Sequence, residues 1–192
     1  MFWFVRIIVM LALLATLFVS LGFLLPAETT AEKTTIIDAS PEHVYAIAVD
    51  VERFKQWRSD LKQLQIETRG ELWTWTEELA AGSTMSVRET AKQPLQRYAY
   101  DFDSSQGMRG RWAAEFSPSS EGRTKLTLTE TVVIDNPLIR VVAYVFLNIG
   151  TSLDVYLGDL NRFATRPAPD PSATPKPRTG PIAAPSALPV LD

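Results

Sequence analysis

The stretch from Asn136 to Ala164 places the strictest demand on any fold this chain can adopt. Asn136 offers a side-chain oxygen to the first N–H groups of a helix. Pro137 follows at the position where a missing N–H costs nothing. Leu138, Val142, Val145, Ile149, Leu153, Tyr156, Leu160 and Phe163 then recur at steps of three and four. The spacing predicts one helix of roughly 28 residues, about 42 Å long, with a continuous apolar stripe. Such a helix is not stable alone in water and needs a broad apolar surface to lie against. The chain from Leu61 to Ile134 supplies it as short alternating segments, hence an antiparallel sheet with one dry face. A sheet curled around a long helix is a container.

The order of elements ahead of that helix is equally specific. Lys33 to Asp38 is short and β-branched, a first strand. Ser40-Pro41-Glu42 starts a helix that carries Val44, Ile47 and Ala48 inward. Asp50 caps a second short helix over 51–56. Strands are expected at 61–68, 71–79, 84–91, 95–102, 111–116 and 125–135. The breaks between them are turn-like, such as Arg69-Gly70, Ala81-Gly82-Ser83 and Gln93-Pro94. With the first strand the sheet has seven, and pairing of sequence neighbours is the economical topology.

Residues 1–25 carry a different signal. Ile7 to Leu25 is 19 residues without a charge, about 28 Å as a helix, which matches the roughly 30 Å of a bilayer core. Arg6 and the aromatic residues Phe2, Trp3 and Phe4 suit the interface at its amino end. We read residues 3–25 as an uncleaved single-pass membrane anchor, with a signal peptide as the other reading. Arg6 on one side, against Glu28, Glu32 and Lys33 on the other, leans toward a cytoplasmic N-terminus and an extracytoplasmic domain. Residues 26–32 read as a polar spacer, 33–165 as the folded domain, and 166–192, with eight prolines, as a disordered tail.

Composition narrows the chemistry. A net charge of −3 without a basic face leaves no nucleic-acid partner expected. No cysteine excludes disulfides and thiolate chemistry, and one histidine excludes any scheme that needs two. His43, third in its helix, reads as a solvated or capping side chain. No phosphate loop, metal-ligand spacing or nucleophile elbow is present, so no cofactor or metal is expected and no catalytic set can be assigned.

The wording Ile37-Asp38-Ala39-Ser40-Pro41-Glu42-His43-Val44, then Asp50-Val51-Glu52-Arg53-Phe54 and Trp57, resembles the START-like (SRPBCC) superfamily. Trp73-Thr74-Trp75-Thr76-Glu77 and Asn136-Pro137-Leu138 are similar to its polyketide cyclase/dehydrase and lipid-transport branch. The resemblance covers about residues 33–164. It implies an α+β helix-grip fold, with seven antiparallel strands around the long C-terminal helix and two short helices after strand 1. It also implies a cavity for a lipid or other hydrophobic molecule, with cyclase or aromatase chemistry known among its members. One such fold hosts many functions.

Alternation along the strands yields a candidate cavity lining. One parity gathers Trp73, Trp75, Glu77, Met85, Val87, Glu89, Tyr98, Tyr100, Trp112 and Glu130, to which the helix adds Val145, Ile149, Leu153 and Tyr156. Aromatic side chains suit a flat or greasy ligand and suit a plain core equally well. Glu77, Glu89 and Glu130 stand out, because a carboxylate facing a dry interior needs a partner or takes a proton. Strand ends or bulges would let each reach water. A cluster at one end of the cavity, with Arg58 or Arg109 as counter-charge, would orient a ligand hydroxyl or move a proton. The residues off the main stripe, Val141, Tyr144, Phe146 and Leu147, make the helix's first half apolar nearly all round. That half is either buried or touches a membrane or partner near the cavity mouth. The leading expectation is a membrane-anchored domain that binds a hydrophobic small molecule. A cyclase-like enzyme using cavity carboxylates and a protein-interaction module are the alternatives.

Overall fold

A computed structural model describes residues 2–146 and 149–166, and the expected disordered tail lies outside them. The fold is the α+β helix-grip. An apolar helix α1 (Phe2–Leu24) precedes β1 (Glu28–Ile37) and α2 (Pro41–Ala48). A 3₁₀ turn (Val51–Arg53) runs into α3 (Phe54–Trp57). Six strands follow: β2 (Leu61–Thr68), β3 (Thr74–Leu79), β4 (Thr84–Gln93), β5 (Arg97–Ser104), β6 (Met108–Pro118) and β7 (Thr124–Ile134). Two helices, α4 (Pro137–Phe146) and α5 (Ile149–Ala164), close the described chain.

Two of the three expected caps form through the side chain, while Asp50 stands at the start of the 3₁₀ turn without a side-chain cap bond. Ser40 Oγ accepts from the His43 N–H at 3.3 Å, and Asn136 Oδ1 accepts from the Leu138 N–H at 2.9 Å. The sheet order is β1-β7-β6-β5-β4-β3-β2, antiparallel throughout. Neighbours in sequence pair from β2 to β7. β1 instead crosses beneath the helices to pair with β7, running from Glu28↔Val133 to Ile37↔Thr124. This strand begins five residues before the expected Lys33, so most of the expected spacer is sheet. Ala31 is its one early apolar residue, which left the alternation too weak to read. Ladder bonds and a Thr30–Thr131 hydroxyl pair at 3.0 Å hold it instead.

The expected single C-terminal helix is two. The axes of 137–145 and 150–164 differ by 57°, and Gly150 stands just past the break. In α5 the stripe enters the grip, burying Leu153, Tyr156, Leu157, Leu160 and Ala164. In α4 the bend turns the same stripe outward. Leu138, Val142 and Val145 are exposed, while Val141 and Ala143 are buried. Val145 therefore does not face the interior. The side chains of Phe146, Leu147 and Ile149 lie outside what is described.

What α4 gains is contact with α1. A Cβ on Gly22 would lie 2.2 Å from the Pro137 carbonyl oxygen, so only glycine permits this approach. Arg140 reaches across from α4, and its Nη1 donates to the carbonyl oxygens of Gly22 at 3.0 Å and Leu25 at 3.1 Å. Its Nε and Nη2 donate to the Ile134 carbonyl, and Nη2 also to that of Asp135. One guanidinium thus satisfies open carbonyls at the end of α1 and at the β7–α4 corner.

Inside the sheet, Gly110 is the tightest position. A Cβ there would sit 2.2 Å from the Thr131 oxygen and 2.6 Å from Phe102 Cζ. Gly110→Ala is expected to cost about 1–3 kcal/mol by overpacking, read as a lowered thermal midpoint of the detergent-solubilised chain. An unchanged midpoint would show that strand β6 yields at this point.

Candidate functional site: a cavity at one end of the grip

The inward face of the sheet divides into a filled half and a hollow half. Along β5, Tyr98 and Tyr100 belong to the filled half, and Phe102 and Ser104 border the hollow one. Along β6 the order is Phe116, Ala114 and Trp112, then Gly110 and Met108. Along β7 it is Leu126 and Leu128, then Glu130, Val132 and Ile134. Along β4, Glu89 and Val87 give way to Met85 and Ser83. The inward parity is the expected one. β5 and β6 run from aromatic side chains in the filled half to Ser104 and Met108 in the hollow one.

The filled half is built on a closed loop of aromatic side chains. Phe54, Trp75, Tyr100, Trp112, Tyr156 and Trp57 touch in that order and return to Phe54, with ring centroids 4.8–6.3 Å apart. Tyr100 and Trp112 stack at 9° between planes, and the other contacts are edge-on or tilted. Arg58 lies over Phe54 and Tyr156, with its guanidinium carbon 5.5 and 5.9 Å from their centroids. Its Nη1 donates to Glu77 Oε1 at 2.7 Å and its Nη2 to Asp60 Oδ2 at 2.7 Å. Trp75 Nε1 donates to the same Glu77 oxygen at 2.8 Å. Burial opposes the charge on Arg58, but Glu77 and Asp60 outweigh it and hold the guanidinium charged. Burial also pushes the hydroxyl pKa of Tyr100, Tyr98 and Tyr156 well up, so all three stay neutral.

Glu89 is fully buried beside the bulge at Glu89/Ala91. Its Oε2 accepts from the Trp73 N–H at 2.9 Å, extending the β3–β4 pairing past the end of β3, and Lys92 Nζ lies 3.6 Å from Oε1. Trp73 itself is half-buried at the outer edge, flanked by the cations of Arg69 and Lys92. Arg109 pairs with Asp135 at the surface. Of the two counter-charges considered, Arg58 meets a buried glutamate.

The hollow half encloses about 670 Å³ between the sheet, the start of β1 and the C-terminal helices. Ala27, Ala31, Ser83, Met85, Met108 and Ala143 are among its small or flexible walls. Among the described candidates read from sequence, Met85 and Glu130 alone border it. Trp75, Glu77, Val87, Glu89, Tyr98, Tyr100, Trp112, Leu153 and Tyr156 are buried in the filled half or beside it, and Trp73 and Val145 lie outside. The readable signal for the hollow was the small residues on the inward parity, Ala27, Ala31, Ser83 and Ser104, where a packed sheet would carry large ones.

Glu130 is the acidic group on the cavity wall. Burial pushes its carboxyl above the usual range, the Ser152 hydroxyl bonded to Oε2 pulls it back, and Asp60 adds to the rise. A carboxyl in this setting favours a ligand that offers a hydroxyl or other donor and disfavours an anion.

A model of the family described as polyketide cyclase/dehydrase and lipid transport matches residues 28–166. Solved structures share the fold at low identity. A protein of Thermus thermophilus is 19% identical at a TM-score of 0.62, covering 71% of this chain and 97% of that one. An aromatase/cyclase of a Streptomyces species is 17% identical at 0.56, covering 70% and 94%. A START superfamily protein of Mycobacterium smegmatis is 16% identical at 0.56, covering 70% and 96%. No curated protein matches the chain.

Two substitutions test this division. Arg58→Met leaves Glu77 buried without its partner and is expected to cost about 3–5 kcal/mol, measured as loss of the near-ultraviolet dichroism transition on heating. Glu130→Gln tests the cavity wall. The raised carboxyl pKa means that the folded state binds this proton more tightly than the unfolded state. Its stabilising contribution is present at acid pH and is lost as pH rises through the raised value. Glu130→Gln is therefore expected to melt above the parent at pH 7, with the gap closing below about pH 4. A constant gap across that range would contradict the assignment.

Proposed function

The chain belongs to the polyketide cyclase/dehydrase and lipid transport family, and from that premise we propose that it is a membrane-tethered binding protein for a lipid or other hydrophobic small molecule. The observation that carries the reading is the 670 Å³ cavity, within the usual size of ligand sites, with a largely apolar wall and one buried-edge carboxyl. The tether is α1. Its 23 residues span about 34 Å and are almost wholly exposed, as suits a helix surrounded by lipid. Arg6 stands near its cytoplasmic end, and the domain follows on the outer side.

The buried charges support binding over catalysis. Glu77, Asp60 and Arg58 are spent on one another and on Trp75, behind the aromatic loop. Glu130 faces the hollow, where its Oε2 accepts from the Ser152 hydroxyl. A proton-transfer scheme needs two groups converging on the ligand.

The test is native mass spectrometry with lipid extraction on the full chain, purified in bilayer nanodiscs from its host membrane. A hydrophobic molecule specifically retained by the parent, and reduced at least tenfold in Ala143→Phe at unchanged thermal midpoint, is the expected result. Equal retention by Ala143→Phe would remove the cavity as the site. Recovery of a chemically altered molecule would replace the binding reading with an enzymatic one.

A further inference from the structure

The exposed stripe on α4 needs an occupant. Leu138 is 45% exposed, Val142 51% and Val145 66%, three apolar side chains on one face of a helix whose other side carries buried Ala143. A soluble domain keeps such a stripe covered. The joint with α1 names the cover. Pro137, the first residue of α4, presses against Gly22, which lies about 4.5 Å short of Leu25 along the helix axis. α4 therefore starts below the level at which α1 ends, not above it. Arg140 then fastens α4 to the Gly22 and Leu25 carbonyls, so the two helices meet at one depth. Arginine is suited to that level, since its stem lies among apolar groups while its head serves the last carbonyls of a spanning helix.

The same corner forms one wall of the cavity. Pro26 and Ala27 from the α1–β1 link, and Arg140, Ala143 and Tyr144 from α4, all border the hollow, and Tyr144 is 70% exposed.

We propose that α4 lies in the outer leaflet as an interfacial helix, its Leu138–Val142–Val145 stripe among the acyl chains, so that the cavity opens sideways into the bilayer. Interfacial helices of this kind sink about 5–10 Å below the headgroups. A hydrophobic molecule then passes from leaflet to cavity past Tyr144 and Ala143 without crossing water. The inference rests on the proposed tether, and the measurement below separates it from the proposed cargo.

The chain has no cysteine, so a single reporter can be placed at will. Val142→Cys, Tyr144→Cys and Val145→Cys, with Lys125→Cys on the far surface as reference, would each carry a bimane label. The labelled full chain is reconstituted in vesicles of phosphatidylcholine with one-fifth phosphatidylglycerol. Quenching by doxyl-labelled phosphatidylcholine at positions 142, 144 and 145 is expected to exceed that at 125 severalfold, with iodide quenching reduced to match. Iodide reaching 142 and 145 as freely as 125 would overturn the proposal. Shielding from both quenchers, together with a dimeric mass, would also overturn it by assigning the stripe to a second copy. An intact mass lacking α1 would end both the tether and this inference. Lipid-buried labels on a chain that retains no hydrophobic molecule would sink the binding reading and leave the placement of α4 standing.

Discussion

The closed loop of Phe54, Trp75, Tyr100, Trp112, Tyr156 and Trp57 is the contact on which the rest of the structure depends. Its members come from α3, β3, β5, β6 and α5, so one cluster joins the two ends of the sequence to the middle of the sheet. Aromatic contacts of this kind each add about 0.5–1.5 kcal/mol beyond the area they bury. The Arg58–Glu77 pair at its edge gives the cluster a direction as well. A buried ion pair contributes little net stability, but a misplaced one costs several kcal/mol, so it penalises alternative packings of α3 against β3. Asp159 adds a similar pin, accepting from the Ser59 N–H at 2.7 Å and pairing with Arg162, which ties α5 to the turn before β2.

Because that half is full, the hollow can exist only at the other end. A cavity of 670 Å³ forfeits contacts that close packing would otherwise supply. The domain tolerates this because the filled half holds sheet and α5 in register independently of what occupies the hollow. Under the proposed function, stability and binding fall to different ends of the same strands, with Glu77 and Glu130 near the border.

Much of this was legible in the residues, and the rest failed for identifiable reasons. Period-two alternation placed Trp75, Val87, Tyr98, Tyr100 and Trp112 on the inner face, where all are buried. Ser40 and Asn136 marked their helices because a cap is a local interaction. Alternation, however, reports only which face a side chain occupies, not whether the space in front of it is filled. Alternation therefore left the large aromatic residues open between a ligand site and a plain core, and in the structure they fill the space themselves. The continuous stripe from Leu138 to Phe163 misled for a related reason. A heptad-like period specifies an apolar surface and says nothing about whether one partner or two will cover it.

The break between α4 and α5 resolves that ambiguity physically. Were the helix straight, Leu138, Val142 and Val145 would continue the line of Leu153, Tyr156 and Leu160 over the open end of the grip and close it. The 57° bend removes them from that line and sets α4 against α1 at Gly22. The consequence is that α4 leaves the line of α5 and its apolar stripe faces outward beside α1. A single change of direction thus shapes both a wall of the cavity and the surface beside it. Gly22 and Arg140 hold that direction, the first by allowing backbones to touch and the second by bonding carbonyls on both sides of the joint.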